Sequence, residues 1–109
     1  MTASNIPMPN STQHRLILAA SKAAGLTPSY DVQRGFMLDS MTPWNPLESS
    51  GDALLIAEKL IMSFQVDRRG AKAWLGEDVV EENNPGRTFY ADLRLAIVRL
   101  AAKWYEADE

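Results

Sequence analysis

The feature that most constrains this chain is a long apolar stripe near its C-terminus. Phe89, Leu93, Ala96, Ile97, Leu100, Ala101 and Trp104 recur at helical spacing between about Thr88 and Ala107, while Arg94, Arg99 and Lys103 fall elsewhere around the turn. A helix this apolar has to lie against something. With 109 residues, 46% hydrophobic and 23% charged, the chain can build one core and is too short for two. The remaining elements must therefore pack on or around that helix.

Two further helices and two hairpins are legible. Ser11 or Thr12 can cap a helix from Gln13 to Ala24, with Gly25 as its stop and Leu16, Ala19, Ala20 and Ala23 on one face. Tyr30 and Val32, then Phe36 and Leu38, alternate about a Gln33-Arg34-Gly35 turn, which predicts two short strands within residues 29–39. Residues 40–50, SMTPWNPLESS, hold two prolines and propagate neither helix nor ladder, so they read as an irregular ordered loop. A helix follows from Gly51-Asp52, capped by Ser49 or Ser50, with Ala53, Leu54, Ala57, Leu60 and Ile61 as its stripe. Met62, Phe64 and Val66 and then Ala71, Ala73 and Leu75 alternate about the Arg68-Arg69-Gly70 turn, a better-marked hairpin.

Residues 76–86 carry Glu77, Asp78, Glu81 and Glu82 around Val79-Val80 and read as a solvated acidic loop with room for a short edge strand. Ala20-Ser21-Lys22 leading to Tyr30-Asp31-Val32-Gln33-Arg34-Gly35 parallels Ala57-Glu58-Lys59 leading to Phe64-Gln65-Val66-Asp67-Arg68-Arg69-Gly70, the pattern of a doubled helix-hairpin unit. The expected order is α-β-β-α-β-β-α. This is a small α+β domain over residues 11–107, with a flexible arm at 1–10, an acidic tail at 108–109 and a mainly antiparallel four-stranded sheet.

Composition removes much of the catalytic repertoire. The absence of cysteine excludes disulfides, thiolate chemistry and Cys-ligated zinc, and a single histidine, His14, excludes any site needing two imidazoles. No nucleophile with its base stands near His14 in the sequence, and the paired carboxylates Asp31 and Asp39 suit ordinary turn chemistry. No cofactor motif is present: Gly51-Asp52 lacks the P-loop spacing and lysine, and the run at 77–82 lacks the oxygen ladder of a calcium loop. The expectation is a protein that is not an enzyme, with no cofactor and no metal. The sequence presents neither an apolar run of about 18 residues nor a basic-then-apolar leader, so it predicts no membrane association and an intracellular location.

Thr42-Pro43-Trp44-Asn45-Pro46-Leu47, followed by Gly51-Asp52-Ala53-Leu54-Leu55 and later by Arg94-Leu95-Ala96-Ile97-Val98-Arg99-Leu100-Ala101-Ala102, resembles the phage ABA sandwich domain family over residues 13–105. That resemblance implies an α/β/α sandwich, a tailed-phage or prophage origin and hence the host bacterial cytoplasm. It implies no activity.

Binding is the remaining question. Net charge is −3, which gives no global pull toward a polyanion, yet basic residues gather at the hairpin turns. Arg68 and Arg69, with Lys72 and Trp74 close by, form the best basic-aromatic cluster, able to fork phosphate oxygens and stack a base, or to anchor a protein interface. Arg34 at the other turn and Trp44 in the proline loop complete the candidate contacts, Trp44 reading more readily as a lid over the core. The leading expectation is a phage-encoded protein that neutralises a host protein or sequesters a small anionic nucleotide in counter-defence, as a homo-oligomer. The alternative is nucleic-acid binding by Arg34, Arg68, Arg69 and Lys72. A flat patch favours the protein partner; a basic pocket favours the nucleotide.

Overall fold

The computed structural model describes residues 11–39, 42–84, 86 and 88–107. The arm expected at 1–10 and the tail at 108–109 lie outside the described residues. The elements are α1 (Ser11–Ala23), β1 (Ser29–Asp31), β2 (Gly35–Met37), α2 (Ser50–Leu60), β3 (Ser63–Asp67), β4 (Gly70–Leu75), β5 (Asp78–Glu82) and α3 (Phe89–Ala107). The class is α+β.

The apolar stripe becomes the centre of the molecule. Ala96, Ile97, Val98, Leu100 and Ala101 are all 0% exposed, and α3 touches α1, α2 and all of β3, β4 and β5. A helix buried on more than one side must be apolar on more than one side, which is why Val98 is covered although it lies off the expected stripe. Thr88 starts this helix, its hydroxyl accepting the Ala91 N–H at 3.2 Å.

Neither the four-stranded sheet nor the helices on both its faces expected of an α/β/α sandwich are what the described residues form. They make a two-stranded sheet, β1-β2, and a three-stranded sheet ordered β3-β4-β5, both antiparallel. The reason lies beside β2. After Met37 the chain doubles back: Met37 bridges Pro43, the Leu38 N–H donates to the Thr42 carbonyl at 2.8 Å and the Trp44 N–H donates to the Phe36 carbonyl at 2.9 Å. These contacts occupy the edge of β2 away from β1, and β1 itself pairs only β2 among the described residues. The missing partner comes instead from the acidic stretch. Gly76, with φ 61, opens a two-residue turn at Gly76-Glu77, and the chain after it returns as β5, the short edge strand for which the sequence left room.

Two details of that stretch and of α2 differ from expectation. Glu82 is not solvated: it is 8% exposed, accepts from Arg99 Nη1 at 2.7 Å and from Asn84 Nδ2 at 3.1 Å. The same Asn84 amide donates at 2.9 Å to Asp92, which is 2% exposed. Two carboxylates can sit under β5 because each has donors waiting. On α2 the buried residues are Ala53, Ile56 and Ala57, whereas Leu54 and Ile61 are exposed. Spacing explains it, since Ala53, Ile56, Ala57 and Leu60 form the i, i+3, i+4, i+7 face and Leu54 lies beside it.

Ile61 is unusual twice over. It has φ 54 and ψ 49, the left-handed region, and is 87% exposed. It ends α2 in a Schellman arrangement, with the Ile61 N–H on the Glu58 carbonyl at 3.2 Å and the Met62 N–H on the Ala57 carbonyl at 2.8 Å. A β-branched residue is strained there, and so little of it is buried that packing does not offset the strain. Ile61→Gly should raise stability by about 0.5–1 kcal/mol after the extra freedom of glycine in the unfolded chain is counted. Thermal melting checks this. A lower midpoint would contradict the strain argument.

Candidate functional site

The three-stranded sheet has two unlike faces. Ala71 and Ala73 are buried in the core, with Val66, Leu75 and Val80 packed against it, so the residues alternating with them point away from α3. Register places Ser63, Trp74 and Val79 in one row across that outer face and Gln65, Lys72 and Glu81 in the next. Ser63, Gln65, Lys72, Val79 and Glu81 are exposed and Trp74 is half-buried, so no described element covers this face. Trp74 takes no part in the core. Strand alternation, visible in the sequence for β4, puts Lys72 and Trp74 side by side; the β5 residues Val79 and Glu81 join them only because the acidic stretch forms a strand.

Arg68 and Arg69 stand exposed at the tip of the β3-β4 hairpin. Asp67 shapes that tip, its carboxylate accepting the Arg69 N–H at 2.7 Å. Beside the tip lies a concavity of about 440 Å³ whose charged lining is Asp67, Arg69, Lys72, Glu81 and Glu82. Three acids against two bases do not make a basic pocket.

Arg34 and Trp44 are placed elsewhere. Both line a groove of about 570 Å³ between α1, the β1-β2 hairpin, the proline loop and α3. Among the described residues its charged lining is Arg34 and Glu48, and Arg34 is 3.4 Å from Asp31. The Gln33 and Arg34 N–H groups, donating at 2.7 and 3.1 Å, hold the Asp31 carboxyl below its ordinary pKa, helped by the Arg34 charge. Here too an anion would meet little free positive charge. The structure therefore separates the candidate residues into two places: Arg68, Arg69, Lys72 and Trp74 on the β3-β4 hairpin, Arg34 and Trp44 at the groove.

Trp44 is the lid rather than a contact residue. It is 2% exposed, and its indole N–H donates at 2.8 Å to the Ser21 hydroxyl, which in turn donates at 2.6 Å to the Ile17 carbonyl. The loop after it is tied down by side chains. The Asp52 carboxylate accepts the Asn45 N–H at 2.9 Å, its own N–H donates to the Ser49 hydroxyl at 3.2 Å, and Arg94 reaches from α3 to the Leu47 carbonyl at 3.0 Å and the Ser50 hydroxyl at 2.9 Å. Asp52 thus ties the proline loop to the first turn of α2. Nothing local in the sequence points Arg94 to this loop.

His14 belongs to an aromatic cluster, its ring 5.0 Å from Tyr30 and 4.8 Å from Phe36. This joins α1 to the small sheet. Among the described residues no group of three or more His, Asp or Glu side chains is placed to hold a metal ion, and no described helix is long and apolar enough to cross a membrane. Comparison with family models, curated proteins and solved structures finds no match to the chain.

Proposed function

We propose that this chain is a non-enzymatic binding protein that docks on a partner protein through the outer face of its three-stranded sheet. One observation carries the reading: a tryptophan and a valine, Trp74 and Val79, lie adjacent on a sheet face that nothing described covers, flanked by Lys72 and Glu81. Tryptophan and arginine are the residue types that most often anchor protein interfaces, and a mixed-charge rim gives register rather than attraction to any one ion. The mixed charge beside Arg69 and the pairing of Arg34 with Asp31 argue against the anionic nucleotide. Taken with the resemblance to small phage proteins, the partner would be a host factor of the bacterial cytoplasm, held so that it cannot act.

Tagged wild-type protein and the variants Trp74→Ser, Lys72→Glu and Val32→Ser, the last on the groove, should be compared for partner capture from nuclease-treated bacterial lysate. The proposal expects Trp74→Ser to cut capture of a specific protein by about 30-fold or more, the scale of an interface hot spot of 2 kcal/mol, with Val32→Ser unchanged. Loss with Val32→Ser but not with Trp74→Ser would overturn it. Salt-sensitive binding to duplex DNA through Arg68 and Arg69 would support the nucleic-acid reading instead.

A further inference from the structure

We propose that two copies of this chain pair through β3, antiparallel about Gln65, and join their three-stranded sheets into one. This goes beyond the docking reading, and only its final argument, from area, depends on that reading.

Both edges of the sheet, β3 and β5, lack a strand partner among the described residues, but they are not alike. The β5 strand is Asp78-Val79-Val80-Glu81-Glu82. Pairing two copies of it about Val80 would set Asp78 against the buried Glu82, an inward carboxylate already held by Arg99 at 2.7 Å. Inward charge of this kind is how natural sheets blunt an edge. The β3 strand, Ser63-Phe64-Gln65-Val66-Asp67, carries one charge, at its end, with no proline and no inward acid.

The hydrogen-bonding sense of β3 fits. The two-residue Gly76-Glu77 turn makes Leu75 and Asp78 the closing pair. Alternation then turns the N–H and C=O groups of Lys72 and Trp74 toward β3, where they meet Gln65 and Ser63. The N–H and C=O groups of Phe64 and Val66 are left to the open edge. Antiparallel pairing about Gln65 sets Phe64 of one copy opposite Val66 of the other, so these groups bond one another and Phe64, 42% exposed in the single chain, is covered by an apolar neighbour. Gln65 falls on the two-fold axis as a close, non-hydrogen-bonded pair. Asp67 meets Ser63, and the basic Arg68-Arg69 tip is carried toward the carbonyl end of the second copy's α2, where the helix dipole is negative.

Area supplies the last argument. Three strands of about five residues present a face of roughly 15 by 17 Å in plan, well below the roughly 800 Å² per partner of an ordinary stable interface. Edge pairing doubles that face to roughly 500 Å² in plan, nearer the size a stable interface needs, and brings two Trp74 rings onto one surface.

The chain has no cysteine, so Gln65→Cys installs its sole thiol on the proposed axis, on an exposed side chain that leaves the core intact. Native mass spectrometry of the wild type should give twice the chain mass. Gln65→Cys should oxidise to a disulfide dimer about 100-fold faster than the equally exposed Glu81→Cys, because pairing raises the local thiol concentration to the millimolar range. Gln65→Lys and Gln65→Glu should each be monomeric alone and form a dimer when mixed. A monomeric wild type, equal oxidation rates at positions 65 and 81, or Lys and Glu variants that each remain dimeric would overturn the proposal. These results read the pairing; the contact at Trp74 is read separately, by the capture comparison of Trp74→Ser with Val32→Ser.

Discussion

Replacing Trp44 by alanine is expected to cost about 3–5 kcal/mol, the range for emptying a buried aromatic site, against a total stability on the order of 5–15 kcal/mol. The site has little room to collapse, because the loop that carries the ring is held at Asn45, Leu47 and Ser50 by Asp52 and Arg94. The void would open beside Ser21, which is 0% exposed and would lose the indole donor at 2.8 Å. Trp44→Phe should cost less, since most of the volume stays and one buried hydrogen bond goes. Ser21→Ala should cost about 1–3 kcal/mol, because it leaves the indole N–H without an acceptor. Combining Trp44→Phe with Ser21→Ala should cost less than the sum, as the two changes remove the same bond. Urea unfolding measures all four. A Trp44→Ala variant within 1 kcal/mol of wild type, on the scale of ordinary surface changes, would mean that the loop is not part of the core.

Gly70→Ala is expected to be comparably severe, by a different route. Gly70 has φ +126, and a Cβ built there would stand 2.2 Å from the Glu82 carbonyl oxygen and 3.0 Å from Asn83 Cα. Both are backbone atoms, so no side-chain rotation relieves the overlap; β5 itself must move, dragging Glu82 from Arg99 and Asn84. The cost is backbone strain of about 1–3 kcal/mol plus the loss of that buried pairing, for a total of about 3–5 kcal/mol. Gly35→Ala separates the two contributions. Gly35 also has positive φ, +82, but nothing lies within 4 Å of its Cβ position, so only the left-handed penalty of about 1–2 kcal/mol applies. If the two alanines cost the same, the close approach of β5 to Gly70 is not a real constraint.

Local chemistry was legible in the sequence and pairing was not. Ser49 and Thr88 hydroxyls, the Arg68-Arg69-Gly70 turn and the α3 stripe each act through neighbours a few residues away, and each element formed where those residues place it. Sheet membership depends on which edge is free. Residues 42–44 close the edge of β2 away from β1, and the edge strand for which the acidic stretch left room is held as β5 by donors on Asn84 and Arg99 that no local pattern reveals. The same limit applies to the candidate site. Lys72 and Trp74 share a face by simple alternation, whereas Val79 and Glu81 join them only through pairing; Trp44 reads as a lid from its loop alone, while its hydrogen-bond partner Ser21 is distant in sequence.

Photo-crosslinking tests the docking face most directly. A photoreactive amino acid placed at Glu81, on the face beside Trp74, and in a separate protein at Glu48 in the groove, would be activated in living bacteria expressing each variant, and the adducts separated by mass. The account predicts a discrete protein adduct from position 81, absent from position 48. Adducts from position 48 alone, or nucleic acid as the species joined to position 81, would contradict it.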